Sequence, residues 1–240
     1  METKTTSHLK LPFFFDASKL LFDYSLVMNQ NWVPHFNTSG YKGEWKAIPL
    51  YAPKGNASNI YAFQQSNEAI LETPLMSNCN YFKEVISSFE CPILSARLLR
   101  LNVGAEIKPH RDYKLGYEDG NFRIHIPIIT NNNIQFILND EKITMLPGEC
   151  WYTNVNYVHS VSNHGKKDRI HLVIDAERNE WSDNLFFSLA PKESFQPIQE
   201  KIESSETIRL IIDELKRKNE PASEQLIFEL EQKLSKNIIE

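Results

Sequence analysis

A run of short apolar stretches between Ser95 and Asp175, separated by turn residues, most constrains how this chain can fold. Segments such as RLLRLNV, RIHIPIIT, IQFIL and RIHLVID are rich in β-branched and aromatic residues and recur about every eight to twelve residues. Gly, Asn and Pro lie between them, as in Asn131–Asn133 and Pro147–Gly148. Many short strands with this spacing are typical of a β-sandwich or β-barrel.

The regions on either side of the strands predict helices. Asp16–Met28 has apolar residues at helical spacing and Asp16 as its N-cap, and a second helix is predicted over Asn78–Phe89. From about Ile198 an amphipathic pattern continues to the C-terminus, interrupted at Pro221. We therefore expect a β domain with a helical lead over residues 1–195 and a helical extension over residues 196–240. The extension is expected to pack on the β core or on a second subunit, as in a homodimer.

The composition excludes several classes of protein. With 41% hydrophobic and 24% charged residues, the 240-residue chain has the composition of an ordinary globular protein. Its net charge of −5 argues against nucleic acid or an anionic membrane as the main partner. The three widely spaced cysteines predict neither a disulfide framework nor a zinc ribbon, and the polar N-terminus lacks an apolar signal core. We expect a cytoplasmic protein that does not contact membranes.

The candidate site is predicted by His110 and Asp112, followed at a distance by His159. In an extended strand, residues i and i+2 point to the same side, so His110 and Asp112 can bind one metal ion together. Two imidazoles and one carboxylate leave one face of an octahedral metal open, which is the arrangement that non-haem Fe(II) oxygenases need. Arg169, ten residues after His159, is a fixed cation that could hold the distal carboxylate of 2-oxoglutarate.

Strand alternation divides the neighbouring segments into two kinds of face. Arg123 shares a face with His125, and Arg169 shares one with His171 and Asp175, while isoleucine and leucine fill the opposite faces. Burying such cations without anions would carry a high desolvation cost. A dicarboxylate cosubstrate and an anionic substrate would supply the anions, and the planar guanidinium group binds carboxylates through two hydrogen bonds.

The segments KPHRD, RIHIPIITN, PGECWYTNVNYVHSVSNHG and DRIHLVID together resemble the aspartyl/asparaginyl β-hydroxylase family, which includes bacterial proline cis-hydroxylases. The upstream segment WVPHFNTSGYKGEW is also similar to the lead of that family. The resemblance implies a mainly β fold with added helices: a double-stranded β-helix (jelly-roll, cupin-like) core with N-terminal α/β elements and C-terminal helices. It also implies a dioxygenase that uses Fe(II), 2-oxoglutarate and O2.

By the same resemblance, the iron ligands would be His110, Asp112 and His159, and Arg169 would bind the distal carboxylate of 2-oxoglutarate. Arg123 and His125 would lie near the metal-chelating end of 2-oxoglutarate. The peptide-modifying branch of the family lacks a carboxylate ligand, so the presence of Asp112 favours the branch that acts on small molecules. We expect a free amino acid as the substrate.

The substrate residues are a further expectation. Arg97 would bind the substrate carboxylate, and Trp45 would form one wall of the substrate pocket. The stretch YKLGYEDGN, from Tyr113 to Asn121, could form a lid. His35 is predicted to be an ordinary turn residue, and His171 is predicted to support the site without binding the metal.

Other interpretations of these residues remain open. The chain could hydroxylate Asp or Asn in a peptide or protein. The two histidines and Asp112 could instead bind zinc or manganese in a non-redox, cupin-like protein. Arg169 could form a solvated surface ion pair, since charges on strands usually do. Trp45 could be an ordinary core aromatic residue, and the C-terminal helices could serve packing alone.

Overall fold

The computed structural model describes residues 5–62, 68–197 and 205–218, together with residues 227, 230, 231 and 234. The chain divides into two compact units, Met1–Pro197 and Ile198–Glu240. The predicted division at residues 195 and 196 stays a prediction.

The described part of the first unit is built mainly from β-strands. In chain order the strands are β1 (His8–Phe14), β2 (Val33–Pro34), β3 (Tyr41–Lys42), β4 (Trp45–Pro53), β5 (Ile70–Glu72), β6 (Ile93–Leu101), β7 (Glu106–His110), β8 (Asn121–Ile129), β9 (Ile134–Leu138), β10 (Glu141–Ile143), β11 (Glu149–Thr153), β12 (His159–Asn163) and β13 (Arg169–Glu177). The described α-helices are α1 (Ala17–Val27), α2 (Asn80–Ser87), α3 (Glu180–Leu189) and, in the second unit, α4 (Ser205–Lys218).

The strands form two antiparallel sheets. The larger sheet has eight strands in the order β1-β11-β8-β13-β6-β4-β2, with β5 also paired to β4. The smaller sheet has five strands in the order β10-β9-β12-β7-β3. Because strands that are distant in sequence are neighbours in both sheets, the chain crosses repeatedly between the sheets. This is the jelly-roll core with added helices that the sequence predicts.

The larger sheet has one apolar face and one polar face, as the alternation predicts. Apolar side chains such as Ile124, Leu172 and Ile174 pack with Leu20 of α1 and Phe186 of α3 in the main hydrophobic core. The opposite face carries arginine and histidine side chains and lies against the smaller sheet. For example, Phe136 of β9 contacts both the His125 ring and the Arg169 guanidinium group, at 5.6 and 5.7 Å. The polar face is therefore enclosed between the two sheets.

The first helix begins where the sequence predicts, because Asp16 caps it. The carboxylate of Asp16 accepts hydrogen bonds from the amides of Ser18 and Lys19, at 2.8 and 3.1 Å. Only part of the predicted apolar stripe is buried: Leu20 is fully buried, whereas Leu21 is 47% exposed. The predicted Asn78–Phe89 helix is shorter, because a 3₁₀ turn over Pro74–Asn78 precedes α2.

The second unit contains α4, within the region predicted to be helical. Part of that prediction, including Ile198 and Pro221, lies outside the described residues. In the described parts of the chain, no helix is both long enough and apolar enough to span a bilayer.

Candidate active site

Two strands of the smaller sheet bring the predicted histidines together. His110, the last residue of β7, is the cross-strand partner of His159, the first residue of β12. Their ring centroids are 4.1 Å apart. The candidate ligand atoms of His110, Asp112 and His159 all lie within 4.8 Å of one another. Side chains separated by forty-nine residues therefore meet at one point, in a geometry that could hold a metal ion.

Asp112 reaches this point from a loop, not from the strand that the sequence predicts. Strand β7 ends at His110, and the amide of Asp112 donates to the carbonyl of Val155 at 2.9 Å. The prediction that His110 and Asp112 are neighbours on one face of a strand was therefore wrong, because Asp112 lies outside β7. Their side chains still converge, with Asp112 Oδ1 3.6 Å from His110 Nε2. A contact between two loops turns the carboxylate toward the histidines.

Backbone carbonyls fix the orientation of both imidazoles. His110 Nδ1 lies 2.8 Å from the Lys108 carbonyl, and His159 Nδ1 lies 3.0 Å from the Tyr157 carbonyl. Because a carbonyl can only accept, Nδ1 carries a hydrogen in each ring, so Nε2 is the nitrogen that each neutral imidazole can offer to a metal ion. Histidines that bind metals are commonly held in this way.

The charge states also suit metal binding. Burial, together with the neighbouring His110, lowers the pKa of His159 to about 4, so this imidazole is neutral at neutral pH. Burial alone would raise the pKa of Asp112, but Arg123 and the two histidines lower it to about 2. A neutral imidazole beside an ionised carboxylate is the form that binds a divalent cation.

Behind Asp112 lies a buried chain of ion pairs. Arg123 Nη1 donates to Asp112 Oδ2 at 2.5 Å, and Arg123 Nε donates to Asp175 Oδ1 at 2.7 Å. Arg97 Nη2 donates to the other oxygen of Asp175 at 2.5 Å, as does the Ser95 hydroxyl at 2.9 Å. Asp175 is fully buried. Burial alone would lower the pKa of Arg123, but the neighbouring carboxylates of Asp175 and Asp112 outweigh it and raise that pKa. No role was predicted for Asp175, although it shares the polar face of β13 with Arg169.

Arg169 has a different environment. Its side chain is buried, Nη2 lies 3.1 Å from His171 Nδ1, and Nε has no hydrogen-bond partner among the described residues. No carboxylate of the described residues forms an ion pair with it. Burial lowers its pKa to about 9, so it is still a cation at neutral pH. The alternative that Arg169 forms a solvated surface ion pair is wrong, because the side chain is enclosed.

Two further histidines lie on the same polar face. The His125 and His171 ring centroids are 5.6 Å apart, and burial holds the pKa of each well below its usual value. His125 Nδ1 and His171 Nε2 are buried without a hydrogen-bond partner among the described residues. Unpartnered buried polar atoms beside an unpaired arginine are typical of a binding site for a polar ligand.

On the other side of the metal-ligand cluster is a cavity of about 400 Å³, lined by Arg97, Arg123 and Trp45 among others. His35 also lines it, stacked on Trp45 with ring centroids 3.5 Å apart. The expectation that His35 is an ordinary turn residue was therefore wrong. The one sequence signal for His35 was its place inside the segment WVPHFNTSGYKGEW, which resembles the lead of the family.

The stretch predicted as a lid is anchored in the core. Tyr117 is fully buried and stacks on Phe186 of α3, with centroids 4.2 Å apart. Its hydroxyl donates to Asp183 at 2.6 Å. Tyr113, by contrast, is 71% exposed and lines the cavity. Within this stretch, Tyr113 and Leu115 line the cavity, whereas Tyr117 belongs to the core.

Residues 17–179 match the family described as aspartyl/asparaginyl beta-hydroxylase. The chain is 28% identical over 177 residues to an L-proline cis-4-hydroxylase of Rhizobium meliloti, covering 71% of this chain and 61% of that protein. It is 26% identical over 136 residues to L-proline cis-3-hydroxylase 2 of a Streptomyces species, covering 55% and 47%. The chain thus spans less than two thirds of the length of either relative.

Among solved structures, the chain is similar to an oxidoreductase of the 2OG-Fe(II) oxygenase family from Burkholderia pseudomallei. The TM-score is 0.50 at 13% identity, covering 72% of this chain and 86% of that one. At this identity the likeness bears on the fold alone, and it agrees with the jelly-roll core described above.

Proposed function

The chain belongs to the aspartyl/asparaginyl β-hydroxylase family, and from that premise we propose that it is a 2-oxoglutarate- and Fe(II)-dependent dioxygenase that hydroxylates a free amino acid or a related small metabolite. The observation that carries the proposal is the convergence of His110, Asp112 and His159 within 4.8 Å. The names of the two proline hydroxylases support a small amino acid as the substrate.

The residues fit Fe(II). Both imidazoles present a free Nε2, and the carboxylate is ionised and held by Arg123. Two imidazole nitrogens and one carboxylate oxygen would hold Fe(II) and would leave room for the cosubstrate and O2. His110, Asp112 and His159 are the proposed ligands.

The residues also fit 2-oxoglutarate. Arg169 is a buried cation without a carboxylate partner among the described residues, and a bound dicarboxylate would supply one. The unpartnered nitrogens of His171 and His125 lie on the same face of the sheet and could donate to the cosubstrate. We assign Arg169 to the distal carboxylate, and Arg123 and His125 to the neighbourhood of the metal-chelating end.

Arg97 is the proposed partner of the substrate carboxylate. It lines the cavity, and its guanidinium group donates to Asp175 and to the Ile60 carbonyl. Its Nε has no partner among the described residues, so a donor remains for a ligand. Trp45 is the proposed wall for the substrate, because it lines the same cavity with its ring 6.2 Å from that of His110.

When bound, Fe(II), 2-oxoglutarate and O2 supply the oxidising chemistry: one oxygen atom of O2 enters succinate as CO2 is lost, and the other enters a C–H bond of the substrate. The protein's own residues orient the reactants. Arg169 fixes one end of the cosubstrate and Arg97 fixes the head of the substrate, which converts a reaction between free molecules into one between positioned groups. Arg169, His125 and His171 are buried on the polar face, so a ligand bound there would be shielded from bulk water.

The test is succinate formation in the presence of Fe(II) and 2-oxoglutarate, with a panel of free amino acids and, separately, peptides that contain Asp or Asn. We expect a free amino acid to stimulate succinate formation, and we expect Arg97→Ala to remove the stimulation while slow uncoupled turnover continues. Stimulation by peptides alone would support the Asp/Asn hydroxylase alternative. No turnover under any condition would support a non-redox metal protein.

A further inference from the structure

Four rings form a continuous stack along one side of the cavity, which we call the aromatic wall: Trp45, His35, Phe36 and Tyr61. Successive ring centroids are 3.5, 4.3 and 4.9 Å apart, and the planes differ by 10°, 28° and 33°. The wall begins beside the metal-ligand cluster, where Trp45 contacts the His110 ring. It therefore leads from the proposed reaction centre to the cavity rim.

The outer end of the aromatic wall is exposed. Phe36 is 56% exposed and Tyr61 is 48% exposed, and Tyr113 on the same cavity is 71% exposed. Exposed apolar groups that cluster at a concave surface mark binding sites, because a ligand that covers them removes apolar area from water. The cavity of about 400 Å³ lies within the range of about 300–1,000 Å³ for pockets that hold drug-sized ligands.

The charges in the cavity disfavour a basic substrate side chain. Among the described residues that line it, Asp112 is the one carboxylate, and it is already bound to Arg123 and proposed as a metal ligand. An ammonium or guanidinium group on the substrate would therefore find no free counter-ion, but it would face the arginines Arg97 and Arg111. Burying a charge without a partner is costly.

We propose that the site takes a free amino acid with an uncharged, apolar side chain larger than the proline ring, and that this side chain lies along the aromatic wall. This proposal rests on the proposed function, since the carboxylate of the same amino acid would bind Arg97. The aromatic wall then selects the substrate by the apolar area of the side chain that is buried against it. Arg97 holds the carboxylate of the same amino acid.

The experiment compares L-leucine, L-isoleucine, L-methionine and L-phenylalanine with L-proline, L-lysine and L-aspartate, at saturating Fe(II) and 2-oxoglutarate. Succinate and the oxygenated product are both measured. We expect at least one member of the apolar group to give a kcat/KM tenfold or more above those of proline, lysine and aspartate. A higher kcat/KM for any of these three than for every apolar amino acid would overturn the proposal.

Variants test the wall itself. Tyr61→Ala and Phe36→Ala should each raise the KM of the preferred apolar amino acid at least fivefold, whereas Leu71→Ala should leave both that KM and uncoupled 2-oxoglutarate consumption within twofold of wild type. Leu71→Ala is the matched control, because Leu71 is 51% exposed on β5 and does not line the cavity. An unchanged KM in both aromatic variants would also overturn the proposal.

The uncoupled reaction separates this proposal from the one on which it rests. If 2-oxoglutarate is consumed but no apolar amino acid is preferred, only the substrate class is wrong. If no 2-oxoglutarate is consumed with or without any amino acid, both proposals are wrong.

Discussion

Replacing Asp175 with Asn tests the buried ion-pair chain behind the site. The substitution keeps the shape of the side chain and removes a fully buried negative charge. Arg97 and Arg123, which are 4% and 5% exposed, would then share Asp112 as their nearest counter-ion. Because each Asp175 oxygen accepts from an arginine, an asparagine amide would place its N–H donors against an arginine donor in either orientation.

The expected cost follows from the burial of all three side chains. Removing one partner of a buried pair costs about 3–5 kcal/mol, because the remaining charge stays out of water without compensation. That is a large part of a typical unfolding free energy of about 5–15 kcal/mol. Arg123 would also lose the contact that holds it against Asp112. Losing such a supporting contact lowers metal affinity by about 10- to 100-fold.

Urea unfolding, followed by circular dichroism, measures the first effect, and Fe(II) titration under anaerobic conditions measures the second. The matched control is Glu72→Gln, whose partner Lys83 lies 2.8 Å away in a partly exposed pair. It should cost about 1 kcal/mol or less. If Asp175→Asn does not fold, Ser95→Ala removes one hydrogen bond to the same carboxylate and should cost about 1 kcal/mol. A loss below 1 kcal/mol in Asp175→Asn, with unchanged Fe(II) affinity, would refute the reasoning.

Four further substitutions test other parts of the molecule. His110→Ala and His159→Ala should each abolish 2-oxoglutarate turnover and leave the dialysed protein without iron; near-normal succinate formation would contradict the ligand assignment. Arg169→Ala should weaken 2-oxoglutarate binding by about 2–5 kcal/mol in a direct titration, with little change in Fe(II) affinity. Burial opposes ionisation of Glu149, but hydrogen bonds from the Leu146 amide, Lys10 and the Trp151 indole lower its pKa below 4.5. Glu149→Gln should therefore destabilise the protein above about pH 5, and the difference from wild type should disappear as the pH falls through the lowered pKa.

The two faces of the larger sheet could be predicted from the sequence because strand alternation is a local property. Residues two apart lie on the same face whatever the tertiary structure, so Ile124 had to oppose His125, and Leu172 had to oppose His171. The alternation also predicted that the arginine and histidine side chains on the polar face need hydrogen-bond or ion-pair partners. The start of α1 could also be predicted, because Asp16 supplies a local cap, although only part of the apolar stripe around Leu20 is buried.

The contacts that assemble the site could not be predicted in this way, because they depend on non-local pairing. Asp112 leaves the strand and is oriented by Val155 and Arg123, neither of which is a sequence neighbour. The inward position of His35 depends on its stacking against Trp45, ten residues later. Spacing within one element cannot specify which loop will meet another.

The structure changes one argument made from the sequence, namely that inward-facing cations need anions from outside the protein. Arg97 and Arg123 have internal partners, since Asp175 binds both and Asp112 binds the second. Among the described residues, Arg169 has no carboxylate partner. Of these three arginines, Arg169 is therefore the one whose buried charge an anionic ligand would stabilise most.

Because Arg97 has a carboxylate partner and Arg169 has none among the described residues, we expect the two arginines to contribute unequally to ligand binding. The cosubstrate carboxylate would neutralise an unpaired buried cation at Arg169, whereas the substrate carboxylate would meet an Arg97 whose charge Asp175 already offsets at 2.5 Å. The second interaction should contribute less, because the net field at Arg97 is weaker. We therefore expect Arg169→Ala to raise the Kd of 2-oxoglutarate by a larger factor than Arg97→Ala raises the Kd of the preferred amino acid. Both constants can be measured by titration calorimetry without O2. An equal or reversed order would mean that Asp175 does not offset the charge of Arg97, and that Arg97 binds the substrate as a fully unpaired cation.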